Sequence, residues 1–352
     1  VDMVDMVDMM NGGSRSLLGF GSALVDLLVH VEDDFLRRAI PGLKGGTELV
    51  QDSEMSAILA GLPQSPVQVP GGAAANTIVG YAQLGGRASM LAKIGNDPAG
   101  EFYRQSLAQS GVSTTLFKRD LRHATGQCLC MITPDSERTM RTCMGAANTL
   151  VPEELAPADF AGQDWLYIEG YALFNRELMR KALELAKSAN LKVCLDLAAP
   201  EIVRSAQDIL PELLRDYVDA VFANELEAEM FAGTSEPQAG LAALAELCPL
   251  AVVKIGRQGA WLQERGKEAI HVEAKVVQAV DTTGAGDLWA AGFLYGWLNG
   301  WPLRSAAELG ALVASEVVQV TGAVMPDATW ARLREQCRQW PKLGNKREKT
   351  WR

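Results

Sequence analysis

The sequence predicts an α/β protein with a three-layer α/β/α core around a mostly parallel sheet. From about residue 160, short apolar segments alternate with amphipathic ones, which is typical of parallel strands covered by helices on both faces. The 352 residues are 48% hydrophobic and 22% charged, enough apolar side chains to bury a large core. Both observations favour the same fold class.

The elements of this core follow one another in a regular order. Short apolar runs predict buried strands, and apolar spacing between them predicts helices. The strands are 165–170, 192–197, 219–224 and 250–256, and the helices are 176–190, 208–217 and one that begins at 225. A β-rich stretch, 261–280, then precedes a long apolar helix that starts near Gly284.

The N-terminal half has a different pattern. Segments 17–31 and 124–145 have the character of strands joined by polar turns, and a helical stretch at 76–84 separates them. Such strands predict a small β-sheet that forms a lid on the core. We expect its segments near 22–50 and 113–146.

We expect one domain over residues 14–340, because no repeat or low-complexity linker divides the chain. Residues 1–13 repeat a VDM triplet and lack the basic start and apolar centre of a signal peptide. We interpret them as a disordered extension outside the fold. Residues 341–352 are predicted to be a polar C-terminal tail.

Composition argues against several kinds of partner and site. The formal net charge is −10 and the pI is about 5.0, which disfavours nucleic acid and anionic membranes. No apolar stretch approaches the ~20 residues needed to span a bilayer. The six cysteines show no C-x-x-C spacing, so we expect reduced thiols in a cytoplasmic protein. The three scattered histidines do not suggest a metal site.

Two nucleotide-binding motifs can be set aside. Residues 19–24, GFGSAL, begin like the dinucleotide fingerprint G-x-G-x-x-G, but Leu24 occupies the position of the third glycine. The P-loop pattern G-x-x-x-x-G-K-[S/T] does not occur in the sequence.

A second glycine-rich stretch, 69–86, contains a more specific candidate. Gly71 and Gly72 allow the backbone to approach a ligand closely. Asn76 can donate and accept through one amide, which suits a vicinal diol. The alternative is a turn followed by an alanine-rich packing helix.

The strongest candidate is VDTTGAGDLWAAGF, 280–293. If a helix starts near Gly284, the N–H groups of Ala285, Gly286 and Asp287 are unpaired and form an anion pocket. Such a pocket stabilises charge on a transferred phosphoryl group. Asp287 would then take the proton of the acceptor hydroxyl.

Each acidic motif also has a structural interpretation. Asp281 or Asp287 could simply complement a helix terminus. Asn224 and Glu227 form N-x-x-E after a strand, which is the pattern of a capping box. The functional alternative is that this pair organises water around Mg²⁺.

Together these motifs resemble the ribokinase/PfkB family of carbohydrate and nucleoside kinases. DTTGAGD (281–287) matches the C-terminal family signature D-T-x-G-A-G-D, GGAAAN (71–76) matches the N-terminal signature, and NELE (224–227) matches the N-x-x-E element. The resemblance extends from about Leu18 to Pro326. Within the family the chain is most similar to the adenosine kinases.

The resemblance implies a ribokinase-like fold and an ATP-dependent phosphotransferase. The implied reaction moves the γ-phosphoryl group of ATP to a primary hydroxyl of a nucleoside or sugar, with conversion of adenosine to AMP the leading expectation. The implied cofactors are ATP and Mg²⁺, with a monovalent cation such as K⁺ as a further candidate. We expect a monomer or homodimer whose partner is a small-molecule substrate.

The resemblance also assigns roles to individual residues. The implied base is Asp287, and the anion hole is Gly284, Ala285 and Gly286. The implied substrate-binding residues are Asp26, Gly71, Gly72, Asn76, Arg138 and Tyr171. The implied ATP-binding residues are Asn224, Glu227, Lys254, Gly256, Gly259 and Thr282. Glu227 would also act on Mg²⁺ through water.

Two residues differ from those usual in adenosine kinases, so acceptors other than adenosine are alternatives. Ser22 stands where adenosine kinases more often have asparagine, and Glu201 stands where a phenylalanine is common near the purine. A carboxylate there suits a more polar acceptor, so a sugar kinase is the main alternative. A catalytically silent nucleotide- or sugar-binding protein is the alternative from another class, and the intact Asp287 argues against it.

Overall fold

The computed structural model describes residues 14–40, 44–135 and 137–347, with side chains described as far as residue 340. The extension predicted at 1–13 lies outside the described residues, as does the end of the predicted tail, 348–352. The last helix continues to Arg347, into the segment predicted as tail.

The described strands and helices are numbered separately in chain order. The strands are β1 Ser16–Phe20, β2 Leu24–His30, β3 Thr47–Leu49, β4 Val67–Gly71, β5 Arg87–Leu91, β6 Lys93–Gly95, β7 Val112–Ser113, β8 Lys118–Asp120, β9 Gly126–Ile132, β10 Arg138–Cys143, β11 Trp165–Glu169, β12 Lys192–Asp196, β13 Ala220–Asn224, β14 Leu250–Lys254, β15 Ala260–Glu264 and β16 Ile270–Val272. The helices are α1 Asp33–Ala39, α2 Asp52–Ala60, α3 Ala73–Gln83, α4 Pro98–Gln109, α5 Arg176–Ser188, α6 Pro200–Ser205, α7 Leu210–Asp216, α8 Glu225–Ala232, α9 Pro237–Leu247, α10 Ala285–Leu298, α11 Leu303–Val317 and α12 Asp327–Arg347.

The core is one large sheet with the order β16-β15-β14-β13-β12-β11-β1-β5-β7. All neighbours from β14 to β7 are parallel, and β15 and β16 add an antiparallel edge. Hydrophobic clusters lie on both faces, because the parallel strands are apolar along their whole length. The predicted mostly parallel α/β core is confirmed.

Strand β1 differs from the expectation for the N-terminal half. Segment 17–31 was expected to supply accessory strands, yet β1 pairs with β11 and β5 in the middle of the large sheet. Every residue of β1 is buried, whereas β2 alternates between buried and partly exposed residues. That difference distinguishes a central strand from a half-buried one.

The second sheet has the order β3-β10-β9-β2-β4. In β2 the side chains of Val25, Leu27 and Val29 are buried in one cluster with Leu36 of α1 and Met55 of α2. Strand β4 lies outside the two predicted lid segments. Within the segment 113–146, β7 joins the large sheet and β8 pairs with β6.

Helix α10 is buried along most of its length and packs between α11 and α3. Gly292 permits this close approach, because a Cβ there would lie 2.9 Å from the carbonyl oxygen of Leu309. The N-terminus of α10 is therefore held by a rigid, well-packed element. Among the described helices, none is long and apolar enough to cross a membrane.

Candidate active site

Polar side chains collect where the parallel strands of the large sheet end. Glu169 ends β11, Asp196 ends β12, Asn224 ends β13 and Lys254 ends β14. Glu169 accepts a hydrogen bond from the N–H of Ala74 at 2.9 Å, so the start of α3 lies at the same edge. The carboxyl edge of a parallel sheet is the usual ligand-binding edge in α/β folds.

Asp287 lies in the first turn of α10 at this edge. Its Oδ2 accepts a hydrogen bond from Nδ2 of Asn76 at 2.9 Å. Burial raises the pKa of Asp287 to about 7, the bond from Asn76 acts against this rise, and Asp196 adds to it. A carboxylate with a pKa near neutrality is suited to accept a proton at physiological pH.

The turn before Asp287 has the geometry of an anion site. Gly284 caps α10 with φ +71°, a conformation that favours glycine, and its carbonyl accepts the N–H of Leu288 at 2.8 Å. The expectation of three unpaired N–H groups is wrong for Ala285, whose N–H donates to the carbonyl of Thr282 at 3.2 Å. The turn folds back on itself there, which leaves the N–H groups of Gly286 and Asp287 for a ligand.

Asp26 and the paired glycines form the lid side of the site. A Cβ on Gly71 would lie 2.2 Å from Oδ1 of Asp26, so the carboxylate packs directly against that backbone. Gly72 has φ +94°, which favours glycine at the start of α3. Burial raises the pKa of Asp26 to about 7, and Arg138 acts in the opposite direction.

Arg138 crosses from the lid to the core. This residue of β10 forms an ion pair with Asp281, and the two side chains are 16% and 8% exposed. Asp281 also accepts the N–H of Thr283 at 3.0 Å and the N–H of Gly322 at 2.5 Å. The lid is thus joined to the loop that leads into the anion turn.

The N-x-x-E motif forms the capping box that its pattern predicts. Asn224 Oδ1 accepts the N–H of Glu227 at 2.8 Å, and Glu227 accepts the N–H of Asn224 at 2.9 Å. Burial and then Asp196 raise the pKa of Glu227 to about 7. The described residues contain no group of three acidic, histidine or cysteine side chains that could hold a metal alone. Mg²⁺ commonly takes one or two carboxylates, water and substrate phosphates instead, and Glu227 fits that role.

The other predicted ATP-binding residues lie in different settings. Lys254 is 14% exposed, and its Nζ lies 2.9 Å from Oδ2 of Asp196. Gly256 has φ +54°, and Gly259 has φ +102° in the turn between β14 and β15. A Cβ on Gly259 would lie 2.0 Å from the carbonyl oxygen of Val272, so this glycine also has a packing role. Thr282 is exposed.

Tyr171 lies just beyond β11 and is 41% exposed. Its ring and that of Phe174 are 6.5 Å apart between centroids. Burial raises the pKa of Tyr171 to about 12, and the nearby carboxylates of Glu169, Glu227 and Asp287 add to the rise. Tyr171 therefore lies within electrostatic reach of the predicted base.

Sequence reasoning missed four residues of the site. Glu169 accepts the N–H of Ser22 at 2.7 Å as well as that of Ala74, and it thereby joins two chain crossings between core and lid. The other three are Asp196, Tyr167 and Thr77. An acid at the end of an otherwise apolar strand, as in WLYIE and KVCLD, was the available signal for Glu169 and Asp196.

Comparisons with known proteins agree with this geometry. A fructokinase of Klebsiella pneumoniae is 36% identical over 244 residues, 65% of this chain and 77% of that protein. An aminoimidazole riboside kinase of Salmonella typhimurium is 28% identical over 281 residues, 75% of this chain and 87% of that protein. The crystal structure of adenosine kinase from Sinorhizobium meliloti superposes with TM-score 0.80 at 33% identity, covering 91% of this chain and 99% of that one.

The profile of the pfkB family carbohydrate kinases matches residues 48–330, most of the chain. The predicted ribokinase-like fold, family resemblance and kinase class are confirmed. The chain therefore belongs to the pfkB family of carbohydrate kinases.

Proposed function

We propose that this kinase transfers the γ-phosphoryl group of ATP to the 5′-hydroxyl of a nucleoside, with adenosine the preferred acceptor and AMP the product. The observation that carries the proposal is the hydrogen bond between Asn76 Nδ2 and Asp287 Oδ2 at 2.9 Å. It brings the amide suited to sugar hydroxyls next to the carboxylate suited to remove a proton.

Each residue of the site has a separate role in the reaction. The acceptor oxygen attacks the γ-phosphorus, its proton passes to Asp287, and the bond to the β-phosphate oxygen breaks to release ADP. The N–H groups of Gly286 and Asp287, at the positive end of α10, stabilise charge on the phosphoryl oxygens. Asp26 and Asn76 orient the acceptor sugar.

Two features support a nucleoside over a free sugar. Two of the three relatives described above, adenosine kinase and aminoimidazole riboside kinase, are named for ribosides. The rings of Tyr171 and Phe174 are 41% and 64% exposed and lie 6.5 Å apart. Exposed aromatic rings provide a stacking surface that suits a flat base.

A sugar kinase is the second candidate, and specific observations favour it. The fructokinase of Klebsiella pneumoniae is 36% identical to the chain. Glu201 begins α6 near Tyr171, where a carboxylate suits a polar acceptor.

Kinases of this family use ATP, typically with Mg²⁺. When bound, Mg²⁺ would neutralise charge on the phosphates of ATP. We propose that Glu227 orders water around it. Replacing K⁺ with Na⁺ in the assay buffer tests for a K⁺ requirement.

The test is ADP release with adenosine, other nucleosides, ribose, fructose and fructose phosphates, with Asp287→Asn as the blank. We expect the highest kcat/KM with adenosine. Turnover confined to a free sugar would refute the nucleoside proposal. ATP binding without turnover of any acceptor would instead favour the silent binding protein.

A further inference from the structure

The side chain of Lys254 lies against the anion turn at Gly286. A Cβ placed on Gly286 would be 3.4 Å from Nζ of Lys254 and 3.9 Å from both Cδ and Cε. The lysine side chain therefore packs against the glycine whose N–H faces the phosphoryl site.

Asp196 fixes the ammonium group of Lys254 in place. Its Oδ2 accepts hydrogen bonds from Lys254 Nζ at 2.9 Å and from the hydroxyl of Tyr167 at 3.0 Å. Thr77 Oγ1 then donates to the Tyr167 oxygen or to the backbone carbonyl of Asp287, each at 3.2 Å. A buried chain of polar contacts thus links Lys254 to the backbone of the candidate base.

The charges around Lys254 are mostly acidic. The carboxylates that face it are Asp196, Glu227 and Asp287, while Glu169, Tyr167 and Tyr171 face the same cluster from β11 and the turn beyond it. Burial opposes the charge of Lys254, but Asp196 and Glu227 raise its pKa above the ordinary value, so it stays cationic. A fixed cation at this depth acts strongly on neighbouring groups because the surrounding dielectric is low.

We propose that Lys254, held by Asp196, is a positioning residue for phosphoryl transfer that keeps the Asp287 carboxylate ionised and makes the Gly286 turn more electropositive. It acts through Asp287 and Gly286. This inference rests on the proposed role of Asp287, and it assigns Asp196 a function as well.

Replacing Lys254 and replacing Asp196 should shift the pH midpoint of Asp287 in opposite directions. Lys254→Met removes the cation, so the pH midpoint of Asp287 should rise by about one unit. Asp196→Asn removes an acid that opposes ionisation of Asp287 and leaves the cation, so the midpoint should fall. The double variant Asp196→Asn/Lys254→Met should lie between the two. A purely structural pair would not move the midpoint in opposite directions.

The experiment is a ¹³C-carboxyl NMR titration of aspartate-labelled enzyme, in which the Asp287 signal is identified by its absence in Asp287→Asn. This readout needs no turnover, so it remains valid if the proposed acceptor is wrong. In parallel, the acid limb of kcat/KM with the best acceptor of the panel should move in the same directions.

Lys93→Met is the matched control. Lys93 is 8% exposed, and its Nζ is paired with Glu154 at 2.8 Å in a separate cluster. This variant should lower the melting temperature without moving the Asp287 midpoint. The proposal is overturned if Lys254→Met leaves the midpoint in place, or if Lys254→Met and Asp196→Asn move it in the same direction.

Discussion

The amide of Asn76, in the first turn of α3, donates a hydrogen bond to Asp287 Oδ2, in the first turn of α10, at 2.9 Å. Two helix N-termini, separated by more than 200 residues of chain, therefore meet at one carboxylate. The N-terminus of α3 follows β4 of the second sheet, and the N-terminus of α10 follows the anion turn.

Replacing Asp287 by Asn should remove the base while preserving the contact with Asn76, since an amide oxygen also accepts a hydrogen bond. We expect kcat to fall by about 10²–10⁴-fold, the range of general base catalysis, with little change in ATP affinity. Steady-state kinetics and calorimetric titration of ATP measure the two quantities. Near-normal kcat would remove Asp287 from its proposed role.

The same variant should be more stable than the parent above neutral pH. The pKa of Asp287 is about 7 in the folded protein, above its value in the unfolded chain, so stability from the protonated acid is lost as pH rises through 7. Asp287→Asn should therefore gain about 1–3 kcal/mol at pH 8 and little at pH 4. Thermal unfolding at both pH values tests this, and an equal effect at both would contradict it.

At a saturating concentration of ATP and Mg²⁺, kcat/KM for the acceptor should depend on the two acceptor-side acids with pKa values of about 7, Asp26 and Asp287. Ionised Asp26 can accept two hydrogen bonds from an acceptor diol, and ionised Asp287 can accept its proton. We expect kcat/KM to fall below pH 7 with a limiting slope near two. In Asp26→Asn the slope should be near one, with a raised KM for the acceptor. An unchanged slope would show that Asp26 does not titrate in this range.

Much of this site was predictable from the sequence because its chemistry is local. DTTGAGD precedes a helix that is apolar nearly all round, so both the anion turn and its rigid support can be inferred from one stretch. The central strands of the large sheet are apolar apart from their ends, which predicts their burial on both faces.

The features that the sequence does not predict depend on contacts between residues far apart in the chain. Asp196 and Lys254 end different strands, and only the sheet order brings them to 2.9 Å. Strand β4 contains Pro70 and ends at Gly71, the first of two glycines, so its sequence suggests a turn, although it pairs with β2 at the edge of the second sheet. Local propensity cannot reveal such pairing because tertiary context decides it.

Gly71→Ala should displace Asp26 and weaken acceptor binding, since the added Cβ would lie 2.2 Å from Oδ1 of that carboxylate. We expect KM for the acceptor to rise at least about tenfold, equivalent to ~1.4 kcal/mol, with KM for ATP little changed. Gly61→Ala is the matched control, because its Cβ would meet nothing closer than 3.6 Å. Similar acceptor KM values for the two variants would contradict the prediction.

Arg138→Met should weaken the link between the lid and the phosphate site. The Arg138–Asp281 pair is largely buried, and hydrogen bonds to charged groups contribute about 1.5–3 kcal/mol. We therefore expect kcat/KM for ATP to fall by about 10–100-fold. Arg104→Met breaks a more exposed pair with Glu101 and should have little effect. Equal losses in both variants would show that the Arg138 contact has no special role.

The most direct test of the account is a competition between adenosine and fructose at equal concentration in one reaction with ATP and Mg²⁺. The ratio of AMP to fructose phosphate, read by mass spectrometry at low conversion, equals the ratio of the two kcat/KM values. We predict that AMP exceeds fructose phosphate by at least about tenfold, a difference of ~1.4 kcal/mol in transition-state binding. An excess of fructose phosphate would contradict the nucleoside kinase assignment.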